Sequence, residues 1–223
     1  MRAMAEAPAQ RINKTDPIPH PEITDSPIAD KKSLRKEIIA RRDSIPPGIR
    51  SLKDSTINEL LLGITTVKDA RAVLLYASFR SEVKTEYLIM KSLSGRKVTA
   101  LPRVDRKNET LILYEIRDWS ELSPGSWGIL EPREMEGREI SVDDIDIVIA
   151  PGVAFDENCN RLGYGKGYYD KLLSRKKGVI PFVIGLAYEE QIVNALPCNQ
   201  YDIKMDIVIT DKRIITCHEP KKD

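Results

Sequence analysis

Short apolar segments alternate with helix-like segments along most of this chain, and that alternation restricts the folds open to it. An apolar run such as 145–150 suits one buried strand, whereas 84–93 has the apolar spacing of a helix. The predicted strands are 72–77, 98–101, 111–116, 145–150, 182–186, 207–210 and 214–217. The predicted helices are 31–42, one after Pro46-Pro47 that closes near Gly63, 84–93, 167–177 and 189–196. The pattern predicts a three-layer α/β domain with a Rossmann-like, largely parallel open sheet and helices on both faces.

The N-terminal residues 1–30 contain five prolines and few large apolar groups. Such a stretch buries too little surface to offset the entropy of ordering it, so a flexible extension is predicted there. Residues 31–217 are then expected to form a single domain, followed by a polar tail over 218–223. Asp30 is expected to cap the first helix. The core-facing side chains expected on the second helix are Ile49, Leu52, Ile57, Leu60 and Leu61.

The charge of the chain is nearly balanced, with 35 Lys and Arg against 34 Asp and Glu. A whole-molecule field that would attract nucleic acid or an anionic membrane is therefore not expected. No apolar run approaches the roughly 18 residues that span a bilayer, and the N-terminus lacks the apolar stretch of a signal peptide. These features predict a cytoplasmic protein.

The three cysteines, Cys159, Cys198 and Cys217, lie far apart and form no C-x-x-C pair. This spacing predicts neither a zinc site nor a disulfide framework, and it favours a reducing compartment. We therefore expect the cysteines to be buried or incidental.

Glycines alternate at positions 163, 165 and 167 in the run RLGYGKGYYD over 161–170. Glycine permits positive φ and close approach of a ligand, and successive N–H groups at a helix start bind anions. Lys166 and Arg161 add mobile charge suited to a polyphosphate. The run matches neither the Walker A motif nor the dinucleotide-binding G-x-G-x-x-G. It predicts a phosphate-binding loop that opens a helix, and a structural glycine-rich connection is the alternative.

Asp170 falls in the first turn of the predicted helix, close to any phosphate bound by the loop. A carboxylate there repels phosphate unless a cation lies between them, so Mg²⁺ is implied. The alternative is that Asp170 only stabilises the start of the helix through its dipole.

The run 161–170, preceded by APGVAFD over 150–156, resembles the signature of the 5-formyltetrahydrofolate cyclo-ligase family. The resemblance extends over roughly 31–210. It includes KKSLR at 31–35, SEVKT at 81–85 and WGILEP at 127–132. Members of this family use MgATP to convert 5-formyltetrahydrofolate to 5,10-methenyltetrahydrofolate, releasing ADP and phosphate.

The resemblance implies a role for each of a set of residues. Those expected to bind ATP are Lys31, Arg35, Arg161, Leu162, Gly163, Tyr164, Gly165, Lys166, Gly167, Tyr168 and Tyr169. Those expected to bind the folate are Ala77, Glu82, Tyr164, Gly165, Lys166, Gly167 and Tyr168. Lys166 and Arg161 are implied to be catalytic, and Asp170 with Asp202 is implied to hold Mg²⁺. The folate and ATP are the implied partners of a monomer or weak homodimer that binds neither nucleic acid nor membrane.

Several residues have simpler interpretations. Lys31 and Arg35 also fit a solvated basic face, and Glu82 also fits a surface ion pair with Lys84. Asp202 also fits a turn, with Asp206 as the competing metal ligand. The family often has Gly where Cys159 stands, so a positive φ there would cost about 1 kcal/mol.

Three other functions are compatible with parts of the sequence. A relative could keep the fold as a folate- or nucleotide-binding module without turnover. The basic helix over 31–42 could contact RNA, although its apolar positions and the balanced charge argue against this. A sugar-phosphate enzyme would require an acid–base pair that the sequence does not display.

Overall fold

The structure, a computed structural model, describes residues 30–175, 177 and 181–217. Apart from Asp30, the predicted extension over 1–30 lies outside the described residues, as does the predicted tail over 218–223. The helices are α1 Lys31–Asp43, α2 Pro47–Gly63, α3 Thr65–Asp69, α4 Glu86–Ser94 and α5 Tyr168–Leu173. The strands are β1 Ala72–Leu74, β2 Val98–Asp105, β3 Thr110–Ile116, β4 Leu122–Pro124, β5 Leu130–Pro132, β6 Glu139–Ile140, β7 Ile147–Ala150, β8 Ala154–Asp156, β9 Arg161–Leu162, β10 Phe182–Leu186, β11 Ile192–Val193, β12 Ile207–Ile209 and β13 Ile214–Thr216.

The main sheet has eight strands in the order β13-β12-β10-β7-β1-β2-β3-β6. The strands from β12 to β2 run parallel, and β13, β3 and β6 join antiparallel at the two sides. Buried parallel strands need apolar side chains on both faces, and β7 is buried at every position. The predicted layered, largely parallel sheet is confirmed.

The two faces of the sheet are covered by different helices. On one face, Val73 and Ile147 pack in a cluster with Ile57 of α2 and Leu88 of α4. On the other face, the neighbouring residues of the same strands pack with α5; this cluster includes Leu74, Val148, Tyr169 and Leu172. The alternation of side chains along each strand therefore produces the predicted three layers.

A smaller sheet, ordered β11-β8-β9, carries the chain into the glycine run. Helix α1 packs on it through Ile38, which shares a buried cluster with Val153, Leu162 and Leu196. This packing holds the basic first helix beside the glycine run.

Several predicted elements differ in the structure. The predicted helix over 189–196 is wrong: a 3₁₀ turn at Glu189–Gln191 leads directly into β11. The buried Gln191 side chain explains the turn, because its amide donates to the carbonyls of Gly152 and Val153. Helix α5 ends at Leu173, earlier than predicted, and β1 is shorter than 72–77. The side chain of Asp30 makes no capping hydrogen bond to α1.

The inward face of α2 was also predicted incorrectly in part. Ile49 and Leu52 are 47% and 67% exposed, whereas Asp54 and Ile57 are buried. Asp54 is accommodated because its Oδ1 accepts hydrogen bonds from the Tyr188 hydroxyl at 2.7 Å and from Lys84 N at 3.1 Å. These hydrogen bonds therefore allow a carboxylate to be buried on the inward face of α2, where apolar spacing alone predicts hydrophobic residues.

Cys159 and Cys217 are joined by a disulfide that closes a sequence separation of 58 residues. The prediction that the cysteines form no disulfide is wrong for this pair, because the tertiary fold brings the turn at Cys159 beside the end of β13. The expected burial is confirmed for Cys159, but the cysteines no longer support a reducing compartment. Cys198 is free and exposed. Cys159 has φ 56°, so this turn places a residue with a Cβ in the left-handed region.

None of the helices in the described part of the chain has the length and apolarity needed to cross a membrane.

Candidate active site

The glycine run forms a tight loop that leads from β9 into α5. Gly165 and Gly167 have φ of 106° and 66°, which are values that residues with a Cβ rarely adopt. Gly167 is the N-cap of α5, so the last glycine opens a helix as predicted. A Cβ on Gly165 would also lie 3.4 Å from the Arg35 guanidinium carbon.

Helix α1 brings two basic side chains to this loop. Arg35 Nε donates to the carbonyl of Gly163 at 2.7 Å, and Lys31 Nζ pairs with Asp202 Oδ2 at 3.0 Å. One helical turn separates Lys31 and Arg35, so both lie on the α1 face that meets the loop. The structure therefore places Arg35 on the glycine loop and Lys31 on Asp202.

Arg161 lies at the base of the loop with its guanidinium largely buried. Its Nη2 pairs with Asp170 Oδ1 at 2.8 Å, and its Nη1 donates to the carbonyl of Pro151 at 3.3 Å. The guanidinium carbon lies 5.7 Å from the centre of the Tyr169 ring. Arg161 is thus fixed by three neighbours, whereas Lys166 is exposed and has no hydrogen-bond partner among the described residues.

The two carboxylates implied for the metal are brought close by one backbone contact. Asp170 Oδ1 accepts a hydrogen bond from Ile203 N at 3.1 Å, and Ile203 directly follows Asp202. Asp202 Oδ2 also accepts from Asn199 N at 2.9 Å. Within the described ranges, no hydrogen bond reaches the second oxygen of either carboxylate. The competing Asp206 is engaged elsewhere, since its Oδ2 accepts from Val183 N at 2.7 Å.

Glu82 is a buried carboxylate that the tertiary fold brings to the same loop. Its Oε1 accepts a hydrogen bond from the Tyr164 hydroxyl at 2.6 Å, and its Oε2 accepts from Phe79 N at 2.8 Å. Burial raises the pKa of Glu82, and the hydrogen bonds from Tyr164 and Phe79 oppose that rise. Glu82 is only 7% exposed, so it is not the surface ion-pair residue of the alternative interpretation.

Arg42 belongs to this cluster and was not singled out from the sequence. It is 2% exposed, its Nε donates to Ser81 Oγ at 2.9 Å, and its Nη2 donates to the Tyr164 hydroxyl at 3.1 Å. Its Nη1 is buried without a hydrogen-bond partner in the described part of the chain. The available signal was spacing, because Arg42 lies seven residues after Arg35 and therefore near the same face of α1.

A cavity of about 460 Å³ is lined both by the glycine loop and by Arg42 and Glu82. Its polar lining includes Arg42, Glu82, Tyr164, Lys166 and Asp170, and its apolar lining includes Ala77, Val104, Leu111, Ile129, Leu130 and Tyr168. A mostly apolar cavity with a few convergent polar groups is typical of a small-molecule site. Leu162 is not part of this lining, because its side chain is buried in the cluster beneath α1.

Trp127 also lines the cavity; the residue is 57% exposed and its backbone lies in the left-handed region at φ 58°. The guanidinium carbon of Arg106 lies 5.9 Å from the centre of its ring.

Comparison with known proteins gives the same family that the motifs suggested. Residues 27–211 match the model of the 5-formyltetrahydrofolate cyclo-ligase family. The mouse 5-formyltetrahydrofolate cyclo-ligase is 28% identical over 187 residues, covering 80% of this chain and 92% of the mouse protein. A probable 5-formyltetrahydrofolate cyclo-ligase of Schizosaccharomyces pombe is 33% identical over 199 residues, covering 83% of this chain and 97% of the yeast protein.

The fold also matches a solved structure in this group. The 5,10-methenyltetrahydrofolate synthetase of Aquifex aeolicus superposes with a TM-score of 0.75 at 32% identity, covering 86% of this chain and 95% of that protein. Family model, sequence relatives and fold agree over almost all of the described residues. The chain therefore belongs to the 5-formyltetrahydrofolate cyclo-ligase family and is an enzyme of that type.

Proposed function

We propose that this enzyme converts 5-formyltetrahydrofolate to 5,10-methenyltetrahydrofolate at the expense of MgATP, with release of ADP and phosphate. The observation that carries the proposal is that the glycine loop contacts two different parts of the protein. Gly163 is bonded to Arg35 on the basic helix, and Tyr164 is bonded to the buried Glu82. A loop placed in this way can hold a polyphosphate against one side of a second, largely apolar substrate.

ATP is assigned to the basic side of the loop. Lys31, Arg35 and Lys166 supply positive charge, and the backbone of 162–169 supplies N–H donors at the start of α5. Arg161 is held by Asp170, so it presents a fixed charge rather than a mobile one. Lys166, which has no hydrogen-bond partner among the described residues, is the cation free to move with the transferred phosphoryl group.

The folate is assigned to the cavity. Glu82 offers carboxylate oxygens to the pterin N–H groups, and the rings of Tyr164 and Tyr168 line the space beside it. Ala77 lines the cavity three residues after the end of β1, on the side of the sheet where ligands collect in parallel sheets. The burial of Glu82 favours a ligand that donates hydrogen bonds to it, because a buried carboxylate needs partners.

Mg²⁺ is assigned to Asp170 and Asp202. Their oxygens without hydrogen-bond partners are hard ligands of the kind Mg²⁺ prefers, and phosphate oxygens with waters would complete its coordination. No cluster of three or more potential metal-ligating side chains occurs in the ranges that the structure describes, so the proposal requires ligands from outside the protein. When bound, Mg²⁺ supplies charge neutralisation of the phosphates.

The reaction needs positioning more than a protein nucleophile. The formyl oxygen of the folate attacks the γ-phosphorus of ATP, the bond to the β-phosphate oxygen breaks, and ADP leaves. N10 of the same folate then attacks the formyl carbon, the carbon–oxygen bond breaks with loss of phosphate, and N10 releases its proton. The second step is intramolecular and so is favoured by proximity. We assign to Lys166 and Arg161 the stabilisation of the negative charge that develops on the phosphoryl oxygens.

We further propose a cytoplasmic enzyme that acts as a monomer or weak homodimer, without nucleic-acid or membrane partners. The balanced charge supports the absence of nucleic-acid and membrane partners, since 35 basic and 34 acidic residues create no strong overall field.

The test is to incubate purified protein with 5-formyltetrahydrofolate, ATP and Mg²⁺ and to follow the absorbance of methenyltetrahydrofolate together with ADP release. We expect both products in equal amounts, and neither when ATP is omitted. Tight binding of both substrates without either product would instead indicate a binding module that has lost turnover.

A further inference from the structure

Arg42 lines the candidate folate pocket and carries a buried donor without an acceptor among the described residues. The residue lines the cavity, is 2% exposed, and its Nη1 has no hydrogen-bond partner among the described residues. Buried polar groups are almost always hydrogen-bonded, and a buried cation without an acceptor is especially unfavourable. The missing acceptor is therefore expected to come from a ligand.

The guanidinium is held in one orientation by its other two nitrogens. Nε donates to Ser81 Oγ at 2.9 Å, and Nη2 donates to the Tyr164 hydroxyl at 3.1 Å. Ser81 is itself anchored, since its hydroxyl donates to Asp43 on the same helix. A planar guanidinium fixed at two nitrogens has a fixed third direction, which makes Nη1 a preorganised donor.

One hydroxyl group links the guanidinium of Arg42 to a carboxylate acceptor. Tyr164 accepts from Arg42 and donates to Glu82 Oε1 at 2.6 Å, so one hydroxyl bridges the guanidinium and the carboxylate. Around these groups, the cavity wall is largely apolar. The polar end of the pocket thus combines carboxylate acceptors with a cationic donor.

We propose that Arg42 is a substrate-specificity residue: with Glu82 it selects the 2-amino-4-oxo pyrimidine edge of the substrate by donating to the 4-oxo oxygen. On that edge the 2-amino group and N3–H are donors, and O4 next to N3–H is an acceptor. Glu82 matches the donors and Arg42 matches the acceptor. The inference rests on the proposed function, because the edge is that of a folate.

The discriminating probe is the 4-amino-4-deoxy analogue of 5-formyltetrahydrofolate, which carries a donor where the substrate carries O4. We expect the wild-type protein to bind the analogue at least about tenfold more weakly in titration calorimetry, since a buried donor would face another donor. Equal affinity for the two compounds would overturn the proposal without any variant. If the protein bound neither compound, the proposed function would fail as well. If the protein converted the substrate but bound the substrate and the analogue equally well, only the role of Arg42 would fail and the proposed function would stand.

Variants separate selection by Arg42 from simple support of the pocket. The analogue also lacks the N3 proton that Glu82 would accept, so the ratio of the two affinities is compared between proteins that all retain Glu82. Arg42→Met should reduce this ratio at least about fivefold, because only the 4-oxo compound loses a partner. Arg41→Met is the control, since Arg41 is exposed on the same helix and pairs with Glu37. A parallel loss of affinity for both compounds in Arg42→Met would reduce Arg42 to a structural role.

Arg42→Lys serves if the Met variant does not fold. It keeps the charge but lacks the planar fork, so we expect an intermediate ratio of affinities. An unchanged ratio in a folded Arg42→Lys protein that no longer bridges to Tyr164 would contradict the proposed geometry.

Discussion

The hydroxyl of Tyr164 lies 2.6 Å from Oε1 of Glu82, although 82 residues separate them in the sequence. This contact joins the glycine loop to the loop that follows β1. Through this contact the glycine loop and the buried carboxylate of Glu82 belong to one cluster of side chains.

Removing the Tyr164 hydroxyl should weaken folate binding selectively. In Tyr164→Phe we expect the KM for 5-formyltetrahydrofolate to rise about tenfold, because a hydrogen bond to a buried carboxylate is lost. The KM for ATP should stay within about twofold, which steady-state kinetics with each substrate varied will measure. Tyr87→Phe, which changes an exposed tyrosine on α4, is the control. Equal increases in both KM values would contradict the division of the site.

Folate affinity should fall as the solution becomes acidic. We expect this fall to begin at a higher pH than it would for a glutamate with the usual pKa. Burial raises the pKa of Glu82 from its usual 4.5, while Tyr164, Phe79, Arg42 and Lys84 oppose the rise. Protonated Glu82 accepts fewer hydrogen bonds, so the Kd for folate should increase as pH falls through the raised pKa. Tyr164→Phe should move this limb to still higher pH, because one opposing hydrogen bond is gone. A limb at the position of an unperturbed glutamate would contradict the prediction.

The raised pKa of Glu82 also makes the free energy of unfolding depend on pH. The folded protein binds the Glu82 proton more tightly than the unfolded chain does. The contribution of Glu82 to the free energy of unfolding is therefore greatest below pH 4.5 and declines as pH rises towards the raised pKa.

Lys166 should act on ATP rather than on the folate. In Lys166→Ala we expect kcat/KM for ATP to fall about a hundredfold or more, since a cation near the transferred phosphoryl group is removed. Folate binding measured by calorimetry should change little. Lys171→Ala is the matched control, because Lys171 is an exposed lysine of α5 that contacts Glu109. A comparable loss of folate affinity in Lys166→Ala would show that the two substrates are not divided as proposed.

Asp170 should determine the Mg²⁺ requirement. In Asp170→Asn we expect half-maximal activity at about tenfold higher Mg²⁺, because one charged ligand is lost. The control is Asp144→Asn, which alters an exposed carboxylate. An unchanged Mg²⁺ dependence together with a lower Tm would assign Asp170 to its ion pair with Arg161 and to the start of α5.

The disulfide between Cys159 and Cys217 should stabilise the fold. Opening a bond that closes a separation of 58 residues should cost about 4 kcal/mol by loop entropy. For a domain of this size that corresponds to a Tm lower by roughly 10 °C in Cys217→Ser. Cys198→Ser should leave Tm unchanged, since Cys198 is free and exposed. Equal melting of Cys217→Ser and the oxidised wild-type protein would contradict a structural role for the bond.

The sequence alone was sufficient for those features that depend on local chemistry. The strand over 182–186 and the helix opening at Gly167 follow from apolar runs and from the conformational freedom of glycine, and both are present. The motif order along the chain was enough to indicate the family.

Only the tertiary structure decided which distant residues meet. The Cys159–Cys217 bond, the burial of Asp54 against Tyr188 and the turn that replaces the helix over 189–196 all depend on partners far away in the sequence. Arg42 is the clearest case: its neighbours on α1 suggest a solvated basic face, yet the packing of Ile38 on the small sheet buries it beside Glu82. Spacing along a helix fixes a side chain's direction, but only packing determines what lies in that direction.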